Sequence, residues 1–251
     1  MKMKALVFEP HDDDLIIGMG GTALKMMENG WRFRTVQITD GRHGSDEIEP
    51  EELVEIRREE KEKEIDYLGI DCDFLDYEDG SLWKQMQKNR GEIVSDITQI
   101  LSEFEPDVVF MPARNEGHPD HRATNLLVSR AVHDLDFEPL NASYIVWQMP
   151  FLEGENLSSK VIRTEVEDVF GQKIEALRLH ESQIEEGRYD EMVENFNSFL
   201  GLLYSSYDDK IGRSEVLGIQ NPEKMGKLEG LEFEDVSDMS HGRSTEDIGL
   251  E

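Results

Sequence analysis

The stretch Lys4-Ala5-Leu6-Val7-Phe8-Glu9-Pro10-His11-Asp12-Asp13-Asp14 passes from an apolar run of strand formers straight into a cluster of carboxylates around one imidazole. Its first half predicts a strand, as do residues 33–39, 72–75, 107–111, 143–149 and 160–166. Longer segments with helical spacing lie between them. The clearest is 92–104, where Ile93, Val94, Ile97, Ile100, Leu101 and Phe104 form one apolar face that ends at Pro106. Residues 50–68 start with Pro50 in a first turn and put Leu53, Ile65 and Leu68 on a stripe that also carries Arg57. Residues 171–184 and 189–203 read as two further helices split by Gly187. Strands alternating with helices of this length predict an α/β fold, Rossmann-like, with a mostly parallel sheet and helices on both faces, because parallel neighbours need a crossover. Ligands of such sheets bind beyond the carboxyl ends of the strands.

Two histidine-bearing segments follow candidate strands and so share that edge. One is the cluster at 9–14; the other is Gly117-His118-Pro119-Asp120-His121-Arg122, which leads into a helix from about Asp120. Four acids within six positions cannot all stay ionised in a cleft without a cation or a proton, whereas in solvent they need neither. Imidazole and carboxylate together suit zinc or a similar divalent ion, and a catalytic site uses three protein ligands with one position left for water. Two histidines and one aspartate are the natural reading.

Composition narrows the partners. Of 251 residues, 26 are Lys or Arg and 56 are Asp or Glu, a formal charge of −30. Nucleic acid and anionic membrane would repel such a chain. Hydrophobic residues make up 37%, enough for one sizeable core. The one cysteine, Cys72, forms no internal disulfide and reads as a small buried apolar residue. Ala5-Leu6-Val7-Phe8 is too short for a signal-peptide core, and no run approaches a membrane span. The expectation is a soluble, unprocessed, cytoplasmic protein. Its acidity fits either a salty cytoplasm or plain solubilisation. Residues 228–251 hold eight carboxylates against Arg243 alone and lack an apolar period. One domain over 1–227 with a poorly ordered acidic extension over 228–251 is therefore expected.

His11-Asp12-Asp13-Asp14 resembles the His-Pro-Asp-Asp signature of the LmbE-like, or PIG-L-like, zinc N-deacetylases, and His118-Pro119-Asp120-His121 is similar to their second signature. Further similarities are Gly20-Gly21-Thr22, Thr39-Asp40-Gly41, Glu52-Leu53 with Arg57 and Glu60, then Lys173, Ala176-Leu177, His180 and Ser182-Gln183. The resemblance covers roughly residues 4–215. Ile56-Arg57-Arg58 and Lys210-Ile211-Gly212 look most like the archaeal diacetylchitobiose deacetylase branch. Asp12 stands where the family usually has Pro, and Leu15 where it often has Glu; Asp12 offers a competing acid. The resemblance implies that His11, Asp14 and His121 hold Zn2+ or another divalent ion, that Asp13 is the general base, that His118 polarises or protonates the reacting amide, and that Asp120 orients His118. It implies hydrolysis of the N-acetyl group of an N-acetylglucosamine-type sugar or small glycoconjugate, and a homo-oligomer, trimer or hexamer, in which Trp147 and Phe151 stand at a contact or in the core.

Arg57 on an apolar stripe needs a partner, either the substrate, as the resemblance implies, or Glu60 or another carboxylate within the protein. Asp40, after the second strand, is either a substrate contact or a turn residue. His43, His133, His180 and His241 are expected to be structural or solvated, His180 as a packed helix histidine, with lining of the site beside Arg178 and Ser182-Gln183 as its alternative. Two other functions compete. Gly18-Met19-Gly20-Gly21-Thr22-Ala23 satisfies a dinucleotide-binding pattern, but the acids before it would repel a pyrophosphate and the spacing from the strand is too long. A non-catalytic metal or sugar binder on the same fold is the other alternative, and the acid at Asp13 argues against it. The sequence leaves the particular acetylated substrate open.

Overall fold

Along β1 (Lys4–Glu9) the side chains alternate between two buried faces, Ala5 and Val7 to one side, Leu6 and Phe8 to the other. A strand with both faces covered belongs in the middle of a sheet with helices on each side. The computed structural model describes residues 2–146, 160–204, 212–228 and 230–237, and β1 is central in it. The eight-stranded sheet has the order β3-β2-β1-β4-β5-β7-β6-β8. β2 (Arg32–Thr39), β3 (Asp71–Tyr77), β4 (Val108–Pro112) and β5 (Leu140–Tyr144) run parallel with β1. β6 (Lys160–Glu165), β7 (Ser214–Ile219) and β8 (Glu234–Asp235) complete the far end in antiparallel pairs. Helices α1 (Asp14–Glu28) and α5 (Phe170–Leu177) pack on one face, α3 (Leu82–Phe104) and α4 (Pro119–His133) on the other. The remaining helices are α2 (Pro50–Leu68), α6 (Glu181–Gly187) and α7 (Tyr189–Leu203). None of the helices among the described residues is long and apolar enough to cross a membrane.

Several expectations shift. The helix expected at 92–104 begins at Leu82 and bends at Asn89. The single helix expected over 171–184 is broken, because His180 takes a non-helical backbone (φ −88°, ψ 63°) and turns its ring inward to two carboxylates. The strand expected over 143–149 is described as Leu140–Tyr144. The acidic segment is packed further than 227: Leu228 and Val236 are buried, and β8 pairs with β6. Trp147, Phe151, Lys210, Ile211, His241 and residues 238–251 lie outside the described residues.

The glycine run lies inside α1 rather than in a phosphate-binding turn. A Cβ at Gly18 would come within 2.5 Å of the Tyr144 ring, and one at Gly21 within 2.7 Å of Val166. Close packing is the physical reason for both. At Met19 the helix kinks (φ −149°), which frees backbone groups in mid-helix. Lys173 Nζ donates to Ile17 O (2.9 Å), and the Glu215 carboxylate accepts from the N–H groups of Gly21 (2.9 Å) and Thr22 (2.7 Å). Lys173 and Glu215 also pair with each other at 2.6 Å, both fully buried.

Candidate metal centre

The chain leaves β1 in one direction to β2 and β3, then crosses to β4 on the other side, so the crevice at the ends of β1 and β4 is the switch point of the sheet. Both histidine segments meet there. His11 Nδ1 lies 3.2 Å from Asp14 Oδ2 and 3.3 Å from His121 Nε2, and His121 Nε2 lies 3.3 Å from Asp14 Oδ1. The ring of His118 joins them, 4.9 Å from that of His11 and 5.3 Å from that of His121. A tetrahedral ion with bonds of about 2.0–2.1 Å spans ligand-to-ligand edges of about 3.3 Å. The triangle of His11, Asp14 and His121 has that size, so these residues fit a zinc-like ion.

Carboxylates stand behind both imidazoles, the arrangement that fixes the tautomer of a ligating histidine. His11 Nε2 donates to Asp79 Oδ1 (3.0 Å), and Glu116 Oε2 faces His121 Nδ1 at 3.8 Å. Asp79 is in turn held by the backbone: its Oδ2 accepts from His43 N (3.1 Å), and its own N–H donates to Asp40 (3.2 Å). Asp40 also accepts from the guanidinium of Arg42, so it braces Asp79 and is not among the residues lining the cleft. A cavity of about 310 Å³ opens over the cluster, lined by His11, Asp13, Asp14, His118 and His121 together with Arg57, His43, Gln183 and Tyr189.

Helix α4 starts at this cavity. His118 caps it, with Nδ1 accepting from Asp120 N (3.3 Å), and Pro119 occupies the first turn. With Nδ1 an acceptor, a neutral His118 ring carries its proton on Nε2. The Asp120 carboxylate accepts from Gly80 N (2.7 Å), so the hydrogen bond of Asp120 to His118 runs through its backbone N–H and its carboxylate acts on the ring only as a nearby charge.

The charges separate by environment. Burial pushes Asp13 up, Arg57 pulls it down, and Asp12 and Asp14 push again, leaving it at about 6. Burial would raise Asp14 too, but His121 and His11 hold it at about 2. Burial lowers His121 to about 4 and also lowers His118. Burial opposes charge on His11, yet Asp14 and Asp79 raise it well above the usual imidazole range. Asp14 and Asp79 thus favour a proton on His11, and an ion bound there would compete with it.

Arg57 pairs within the protein, with carboxylates other than Glu60. Its guanidinium contacts Asp12 and lies 3.4 Å from Asp13 Oδ1, while Glu60 accepts from Ser182 N (2.7 Å) and Oγ (2.8 Å). His180 is no ordinary packed histidine; it sits fully buried between Asp12 and Glu64. Asp79, His43, Gln183 and Tyr189 were not picked out from sequence as lining this centre. Asp79 and His43 had a usable signal, since each follows a strand on the binding edge, and Gln183 belongs to a pair that resembles the family.

Fold and site together define a Rossmann-like α/β protein with a histidine–aspartate cluster, fit for a divalent ion, at the switch point of its sheet. The chain belongs to the PIG-L (GlcNAc-PI de-N-acetylase) family, whose pattern it matches over residues 6–132. It is 29% identical to the diacetylchitobiose deacetylase of Thermococcus kodakarensis over 212 residues, 80% of this chain and 77% of that protein. It is 29% identical over 186 residues, 71% of this chain and 80% of the other, to a Bacillus anthracis protein named "Probable N-acetyl-alpha-D-glucosaminyl L-malate deacetylase 2". Among solved structures, N,N'-diacetylchitobiose deacetylase from Pyrococcus horikoshii superimposes with a TM-score of 0.67 at 28% identity, covering 86% of this chain and 83% of that one.

Proposed function

We propose that this protein is a metal-dependent N-deacetylase that hydrolyses the acetamide of an N-acetylglucosamine-type sugar or small glycoconjugate. One observation carries the reading: His11, Asp14 and His121 converge at 3.2–3.3 Å on the edge of a cavity that Asp13 also lines. The names of the two relatives above share an N-acetylated glucosamine unit, which supports the substrate class.

A divalent ion held by His11, Asp14 and His121, zinc by the donor set, would act as Lewis acid toward the amide oxygen and make nearby water more acidic. Asp13, raised toward neutrality by burial, takes the proton of the attacking water as general base. The Nε2–H of His118, whose exposed ring lines the cavity, donates to the oxygen on which negative charge develops. Asp120 holds that ring through its backbone N–H. Asp13 then passes its proton to the leaving nitrogen, so acetate and a free amine depart and the base is restored. Arg57 reaches Asp13 and the cavity wall, and Asp40 supports Asp79, so we assign substrate contact to Arg57 and bracing to Asp40.

The test is amine release from a panel of N-acetylated sugars by metal-stripped protein and by the same protein after zinc is restored. Activity absent from stripped protein and recovered with metal is expected. Undiminished turnover by stripped protein, or none with any acetamide sugar under either condition, refutes the reading.

A further inference from the structure

Behind the base, five side chains of alternating charge stand in line: Glu64, His180, Asp12, Arg57 and Asp13. We infer that His180 is a positioning residue for Asp13, acting through Asp12 and Arg57; this rests on the proposed function, in which Asp13 is the base.

The links are short and buried. His180 Nε2 lies 2.5 Å from Glu64 Oε2 and its Nδ1 lies 3.0 Å from Asp12 Oδ2, with all three side chains fully enclosed. A ring with carboxylates on both nitrogens has two N–H groups to give only as an imidazolium. Burial opposes that charge, but Asp12 and Glu64 overcome it and raise His180 to about 10. The other oxygen of Asp12 meets Arg57 Nη2, the same nitrogen that faces Asp13. Lys61 Nζ donates to the backbone oxygen of Asp12 (2.8 Å) and lies 3.2 Å from Glu64, so backbone and side chain of Asp12 are both pinned.

The loop at residues 41–44 crowds Arg57. A Cβ at Gly44 would sit 1.9 Å from its Nη1, and one at Gly41 2.9 Å from its Nε. The loop wraps the guanidinium, leaving Asp12 to set its angle and the guanidinium to set the angle of Asp13. If His180 loses its charge, Asp12 is left buried with one cation instead of two, and Arg57 is drawn toward Asp12 and away from Asp13. A displacement of about 1 Å at a reacting group costs up to about 100-fold in rate.

The experiment compares wild-type holoprotein with His180→Gln, Asp12→Asn and the double variant, reading kcat, KM, bound metal and thermal midpoint on N-acetylated sugars. In parallel, 15N spectra of the wild-type histidines report the protonation of His180 at pH 8. Expected are a 10- to 100-fold fall in kcat for each single variant, KM and bound metal within twofold of wild type, and a double variant no slower than the slower single one. Both ring nitrogens of His180 are expected to carry protons at pH 8. Folded His180→Gln protein with wild-type kcat overturns the inference, as does a fall in kcat that tracks lost metal, or a neutral His180 ring. Should His180→Gln fail to fold, Asp12→Asn alone decides by the same criteria. Should wild type release no amine, the proposed function fails instead, and the protonation of His180 then decides whether the buried line of charge stands.

Discussion

Replacing Asp79 by Asn removes the charge behind His11 while keeping the shape of the side chain. Asp79 now accepts from His11 Nε2 at 3.0 Å and from His43 N at 3.1 Å, one oxygen for each. An amide retains a single acceptor oxygen, so one of those donors faces an NH2 group and His11 loses its ionic partner. Loss of such a supporting carboxylate weakens metal affinity by about 10- to 100-fold. An ion at 100 times its Kd stabilises the folded chain by about 2.7 kcal/mol; after that weakening the same concentration gives only about 0.4–1.4 kcal/mol. For a domain of this size about 2–4 °C accompanies each kcal/mol, so metal should raise the wild-type midpoint by about 5–11 °C and the Asp79→Asn midpoint by about 1–6 °C. The assay is thermal unfolding of each protein, stripped and metal-loaded. Because the variant also loses apo stability, the quantity compared is the increment from metal and not the midpoint itself. An equal increment in both proteins, with equal affinity by calorimetric titration, would refute the argument that Asp79 tunes His11 for an ion.

Asp13→Asn should lower turnover by about 100-fold or more while bound metal stays unchanged, as judged by kcat and metal analysis; a non-catalytic binder would show no change in anything measured. Lys173→Met should destabilise by about 3–5 kcal/mol, because it strands the fully buried Glu215 carboxylate and frees Ile17 O at the α1 kink; a midpoint within 2 °C of wild type, an order-of-magnitude bound, would contradict the bridging role. His180 in the folded chain is raised to about 10 from an ordinary 6.5, so its contribution is fully present below 6.5 and disappears as pH rises through 10. The stability gap between wild type and His180→Gln, followed by denaturant titration, should therefore narrow from pH 7 to pH 10. With a formal charge of −30, raising salt from about 0.1 to 1 M, which shortens the Debye length from about 10 to about 3 Å, should raise the thermal midpoint; a flat response would remove self-repulsion as a factor.

Amino-acid order alone determined a good deal here. Alternating apolar runs and helical stripes are local patterns with periods of two and 3.6, so the α/β class could be read without coordinates, and 50–68 and 189–203 coincide with α2 and α7 residue for residue. The switch-point rule then brought His11, Asp14, His118 and His121 to one edge although about a hundred residues separate the two segments. Other features answer to distances between groups remote in the chain, and these only the tertiary structure decided. Arg57 passed over Glu60, three positions away on its own helix, for Asp12 and Asp13 on another element, because in the interior charges are paired by proximity in space. His180 interrupts its helix for the same reason: its ring turns to two buried carboxylates, while its N–H still reaches Leu177 O and its carbonyl accepts from Ile184 N. β7 was missed because Glu215 puts a charge into a short apolar run, and the lysine that neutralises it, Lys173, stands far away on α5; Asp79 was one acid among 56 until a fold set it 3.0 Å from His11.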